Sequence, residues 1–254
     1  MLPTKLRLPV SILPQPDETT CGPTCLHAVY RYWGEDESLG EVIARTRKLE
    51  QGGTLAVFLA CDALRHGYEA TIYTYNLTVF DPTWFMPGVD IAERLRQQQK
   101  AKPGTRLRHA TEGYLEFLGL GGRLRLTDLS RTLVRGLLRR NLPILTGLSS
   151  TYLYRVAREY GPGDEPNDIA GVPAGHFVVL AGYNRKARTV LVADPYAPHP
   201  FGSTLEYWIN IDRVVGAILL GIVTHDANLL VTYPPRSRLQ ASLHDHTHHR
   251  RQSE

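Results

Sequence analysis

The spacing of apolar residues changes along this chain, and the change limits the folds open to it. In the first half, Leu26, Val29, Tyr30 and Trp33 recur at i, i+3, i+4 and i+7, and Leu55, Phe58, Leu59 and Ala63 also share one helical face. In the last third, Pro143 to Leu148, His176 to Tyr183 and Thr189 to Ala193 are apolar runs of strand length. Asn184-Arg185-Lys186-Ala187 reads as a hairpin turn between the latter two, which makes them adjacent and antiparallel. Helices in the first half and an antiparallel sheet in the second read as an α+β fold. At 43% hydrophobic over 254 residues, the chain can bury a core without covalent staples.

The expected organisation is one domain over residues 1–235, with insertions near 80–104 and 149–174. A loosely alternating strand is expected over residues 5–13, then a turn held by Pro14 and Pro16. A helix then starts near Cys21, capped by Thr19 or Thr20, and stops at Gly34. Further helices are expected over 39–47, from Thr54 to Gly67, over 106–118, and over 127–140 with Thr127 or Asp128 as cap. Tyr68 to Tyr75 reads as a strand, Glu206 to Ile209 as another, Ile211 to Ile222 as a helix and Leu229 to Tyr233 as a closing strand. The segment from Ser149 to Gly175 shows no period and carries six Gly and Pro residues from Gly161 to Pro173, so it reads as a long loop, a lid or a solvated insertion. Residues 236–254 are polar, end in a His-rich run and read as a disordered tail.

Composition removes several classes of function. A net charge of +4 is not a nucleic-acid signature by itself. Arg131, Arg135 and Arg139, with Arg140, read as a solvated helix face. No apolar run approaches the ~20 residues of a membrane span, and the first residues lack the apolar core of a signal peptide, so the cytoplasm is the expected compartment. Three cysteines, Cys21, Cys25 and Cys61, do not make a disulfide framework, and no second pair completes a zinc set.

The chemistry is carried by Cys21, His176 and Asp194. Cys21 stands at the start of a helix, where unpaired N–H groups favour a thiolate. His176 begins a strand and Asp194 ends the next one, so the hairpin brings them together: the imidazole can take the thiol proton, and the carboxylate can orient the imidazole. Gln15 and the Cys21 backbone N–H can hold an oxyanion. Gly22 removes bulk beside the nucleophile, and Pro23 suits a first helical turn. Cys25 and Cys61 read as small buried residues, and His27, His66, His109, His199 and His225 as surface or packing residues.

At these positions the chain resembles the C39-type cysteine peptidases of the papain-like superfamily, in their free-standing form. The match lies in Gln15, the run Cys21-Gly22-Pro23-Thr24-Cys25-Leu26 with Tyr30 and Tyr32-Trp33-Gly34, Gly175-His176-Phe177-Val178-Val179, and Asp194-Pro195-Tyr196. The resemblance implies a papain-like fold, a Cys21 nucleophile, a His176 base, an Asp194 orienter and Gln15 in the oxyanion hole. It also implies a cofactor-free hydrolase acting on a peptide or peptide-like amide, in a group some of whose members accompany ATP-grasp ligases. Two other uses of the same site are a leader-peptide binding module and an acyl or peptidyl transferase.

Overall fold

The computed structural model describes residues 3–50, 52–224 and 226–235. The first half contains β1 (Lys5–Arg7), α1 (Cys21–Tyr32), α2 (Leu39–Arg45), α3 (Ala56–Arg65), β2 (Glu69–Thr74), α4 (Ile91–Ala101) and α5 (Thr105–Gly119). Then come β3 (Arg123–Arg125), α6 (Arg131–Leu138), β4 (Ile144–Ser149), α7 (Ser150–Tyr154), β5 (Glu159–Tyr160) and β6 (Glu165–Pro166). The chain closes with β7 (Gly175–Asn184), β8 (Thr189–Ala193), β9 (Glu206–Asn210), α8 (Ile211–Leu220) and β10 (Asn228–Tyr233). The architecture is α+β, with a helical N-terminal half packed on a largely antiparallel sheet.

Seven strands of the main sheet lie in the order β3-β2-β10-β4-β7-β8-β9, and β1 also pairs with β7. The ten-residue β7 is the spine. Along one edge it bonds β4 over Gly175 to Leu180 and β1 over Gly182 to Asn184; along the other it bonds β8. Every residue from His176 to Tyr183 is buried, as an unbroken apolar run requires when both faces of a strand are covered. All pairings are antiparallel except β2 with β3.

Several boundaries differ from those expected. The N-terminal strand is three residues long, not nine: the Leu8 N–H still donates to the Ala181 carbonyl of β7, but Pro9 has no N–H to continue a ladder, and Val10 and Ile12 enter the core outside any strand. Helix α3 begins at Ala56, because the Thr54 hydroxyl bonds the Arg47 carbonyl rather than capping the helix. Ser130, not Thr127 or Asp128, caps α6. Strand β3 carries two arginines in three residues and gave no apolar signal. The 149–174 segment is not structureless: it holds α7 and the β5–β6 hairpin. The expected insertion near 80–104 holds the polar helix α4, and the His-rich tail lies outside the described residues.

Helix α1 explains how the two halves fit. Its residues Cys21 to Tyr30 are all buried, and it packs against β7. A Cβ on Gly22 would lie 2.5 Å from Thr54 Cγ2 and 3.3 Å from Leu59 and Phe177 side-chain atoms. The missing side chain therefore serves the helix–sheet contact rather than access to the nucleophile. One turn on, the Cys25 thiol donates to the Phe177 carbonyl at 3.3 Å. Gly34, at φ +91°, turns the chain away after the last helical turn.

Gly22→Ala is expected to destabilise the fold by about 1–3 kcal/mol through overpacking, measured by urea denaturation. A midpoint equal to wild type would show that α1 shifts freely against β7.

Candidate active site

Asp17 organises the turn that delivers Cys21. Its carboxylate Oδ1 accepts from the Thr19 backbone N–H at 2.8 Å and hydroxyl at 2.7 Å, and its carbonyl accepts from the Gln15 side-chain amide at 2.9 Å and the Thr20 hydroxyl at 3.0 Å. Neither threonine caps α1 through its side chain, contrary to the expectation from sequence; both hydroxyls are spent on Asp17. Pro23 has no N–H, so the uncapped end of α1 offers the Cys21 and Gly22 N–H groups beside the thiol. The Gln15 backbone N–H donates to the Pro195 carbonyl at 2.9 Å, tying this turn to the residue after Asp194.

The three residues singled out for chemistry lie together. His176 Nε2 lies 2.8 Å from Asp194 Oδ1, and the Cys21 thiol is close enough to the same imidazole to help raise its pKa. With Nε2 committed to the carboxylate, Nδ1 is the nitrogen left for the thiol. The hairpin register accounts for this: Val179 pairs with Ala193, so the start of β7 overhangs the end of β8 where Asp194 follows.

Asp194 is fully buried and meets four donors. Oδ1 accepts from His176 and from the Tyr196 N–H at 3.1 Å; Oδ2 accepts from the Tyr154 and Tyr207 hydroxyls, each at 2.7 Å. Burial alone would raise its carboxyl pKa, but the His176 charge and these hydrogen bonds hold it below the ordinary value. Burial likewise opposes charge on His176. The Asp194 charge and hydrogen bond, followed by the Cys21 thiol, outweigh it and push the imidazole up to about 10. Tyr154 and Tyr207 are held protonated, first by burial and then by the adjacent carboxylate, so they remain donors.

Neither tyrosine was foreseen. Tyr154 ends α7, inside a segment read as loop, and Tyr207 is an inward-facing residue of β9 that a period-2 pattern assigns to the core. Their partner is 40 and 13 residues away, respectively, and no local motif links them to it.

His176 opens into a cleft of about 610 Å³. Gln15 and Glu18 line it on the α1 side, the 156–175 segment supplies another wall, and Tyr196 to Pro200 contribute a third. The Gln15 amide donates one N–H to Asp17, leaving its second for another acceptor. His199 reaches this wall too, yet it is a packing residue as expected, stacked on Tyr154 and bonded to the Thr204 carbonyl. Cys25 and Cys61 are buried, and burial is the main cause pushing both thiols up, Cys61 to about 12. Arg131 pairs with Asp212 and Arg135 bonds within its own helix, as on a solvated face. Among the described residues no group of three or more His, Cys, Asp and Glu side chains is placed to hold a metal ion, and no helix is long and apolar enough to cross a membrane.

The raised His176 value has a definite sign for stability. The charged imidazole contributes fully below its ordinary pKa of 6.5, and that contribution is lost as pH rises toward about 10. Folding free energy is expected to fall across that interval, with a flatter profile in Asp194→Asn, as read by urea denaturation at stepped pH. Equal slopes in the two proteins would remove Asp194 as the cause.

Residues 108–214 match the Peptidase_C39 like family. No curated protein matches the chain. Among solved structures, a C39-like peptidase from Bacillus anthracis aligns at 14% identity and TM-score 0.47, covering 91% of this chain and 98% of that one. Xylellain, a cysteine protease from Xylella fastidiosa, aligns at 14% identity and TM-score 0.46, covering 92% and 87%. The peptidase domain of Streptococcus ComA aligns at 14% identity and TM-score 0.42, covering 89% and 99%. The family match contains His176 and Asp194, whereas Gln15 and Cys21 precede it.

Proposed function

We propose that this protein is a cysteine-dependent hydrolase that cleaves an amide bond in a peptide or peptide-like substrate through an acyl-enzyme. The observation that carries the proposal is the His176–Asp194 hydrogen bond at 2.8 Å beside the Cys21 thiol, with His176 lining a cleft. A histidine held charged beside a thiol at a helix N-terminus favours the thiolate–imidazolium pair over the neutral one.

The thiolate Sγ attacks the substrate carbonyl carbon, and the carbonyl π electrons move onto oxygen. The Cys21 backbone N–H and the second Gln15 amide N–H stabilise that oxyanion. His176 gives its proton to the leaving amine as the C–N bond breaks. It then takes a proton from water, whose hydroxide attacks the thioester; collapse of the second oxyanion expels the Cys21 thiolate and releases the acid. Asp194 keeps the imidazole in one tautomer and orientation throughout, and Tyr154 and Tyr207 keep Asp194 from turning away.

Alkylation of Cys21 by iodoacetamide at pH 6.5, followed by peptide mass spectrometry, is expected to slow by roughly tenfold or more in His176→Ala. Equal rates would refute an activated pair. Against a peptide library, Cys21→Ala is expected to lose all turnover while its urea midpoint stays near wild type. Cleavage that survives the substitution sinks the hydrolase assignment. A partner captured equally by both proteins and left uncut would mark a binding module.

A further inference from the structure

The proposed reading places a substrate in the cleft beside His176 but says nothing of its charge. The cleft lining does. Among the described residues it contains three carboxylates, Glu18, Glu159 and Asp164, and neither Lys nor Arg, on a chain whose net charge is +4. The three come from separate places: Glu18 from the turn before α1, Glu159 from β5, and Asp164 from the β5–β6 turn. Asp164 occupies a left-handed conformation there (φ +52°) that a short polar residue tolerates.

These carboxylates stand without cations. Among the described residues none of the three has an ion pair or a side-chain hydrogen-bond donor. Glu159 is half-buried, and burial, then Asp164 and Glu18, push its carboxyl above the ordinary value, while His176 acts in the other direction. That imidazole is already paired with Asp194 at 2.8 Å. Nearby, Gln15 Oε1 is buried and accepts no hydrogen bond. Glu18 and Asp164 are exposed and only Glu159 is half-buried, so the two exposed charges add to the cost of ionising Glu159. Here the compensating charge and the missing donor can both come from a ligand.

Resting on the hydrolase reading, we infer that the cleft selects substrates with an ammonium or guanidinium group close to the scissile amide, held by Glu159, Asp164 and Glu18. The catalytic pair establishes that something binds; the carboxylates decide its sign. Such a group would add the donors that the cleft lacks, and its attraction would weaken with salt.

The test uses three peptidyl acyloxymethyl ketones that differ in one side chain next to the reactive carbonyl: lysine, neutral norleucine, or glutamate. Cys21 Sγ bonds to the probe methylene as the carboxylate leaves, so mass spectrometry of the Cys21 peptide reads the rate. Each rate is divided by the same protein's iodoacetamide rate, which cancels changes in the thiol itself. The lysine probe is expected to label roughly tenfold faster than norleucine and faster still than glutamate. In Glu159→Gln/Asp164→Asn the lysine preference should fall to about threefold or less. Equal labelling by lysine and norleucine probes, or a preference untouched by the double variant, overturns the inference. If iodoacetamide labels Cys21 but no ketone does, the inference falls and the thiol chemistry stands. If iodoacetamide labelling shows no dependence on His176, the hydrolase reading falls and the inference with it.

Discussion

A carboxylate with no exposure to water governs the geometry of this protein. Asp194 could not be buried alone, since an isolated ionised group in a protein interior costs several kcal/mol or neutralises itself. Its four donors arrive from β7, α7, β9 and its own turn, so satisfying one side chain draws four pieces of chain together. The same bonds set the protonation of their partners. Asp194 stays charged, His176 is pushed toward its charged form, and both tyrosines stay protonated. The electrostatics and the fold are here the same interaction seen from two sides.

Cys21 reaches that network by a separate route. Helix α1 is seated on β7 where Gly22 lets it approach Phe177, and the Cys25 thiol bonds the carbonyl of the same residue. Since Phe177 follows His176, the seating of α1 and the placement of the imidazole are anchored one residue apart. Asp17 closes the remaining freedom by holding the turn through which Cys21 enters, and Gln15 bonds that turn to Pro195. Small shifts in any of these contacts would move the thiol relative to the ring.

Much of this was legible in the residues. The change of period from helix to strand, the hairpin at 184–187, and the placement of Cys21, His176 and Asp194 at element ends follow from local chemistry, because each depends on residues within a few positions of one another. Where local reading failed, a distant partner had outbid a near one. Thr54 looks like a helix cap but bonds Arg47, and Thr19 and Thr20 look like caps but bond Asp17. Strand β3 forms because β2 offers a free edge, not because Arg123-Leu124-Arg125 favours a strand. The 149–174 segment looked structureless because its strands are two residues long and its helix five, too short to display a period.

The sequence by itself determined the α+β class, the order of the longer elements and the candidate side chains Cys21, His176 and Asp194, since helix and strand patterns and residue chemistry are properties of neighbouring positions. Only the tertiary structure decided that Tyr154 and Tyr207 hold Asp194, that Gly22 is a packing residue, and that Glu18, Glu159 and Asp164 converge without a cation. Those arrangements depend on which surfaces meet when the sheet closes, and no spacing along the chain encodes a contact between residues that folding alone brings together.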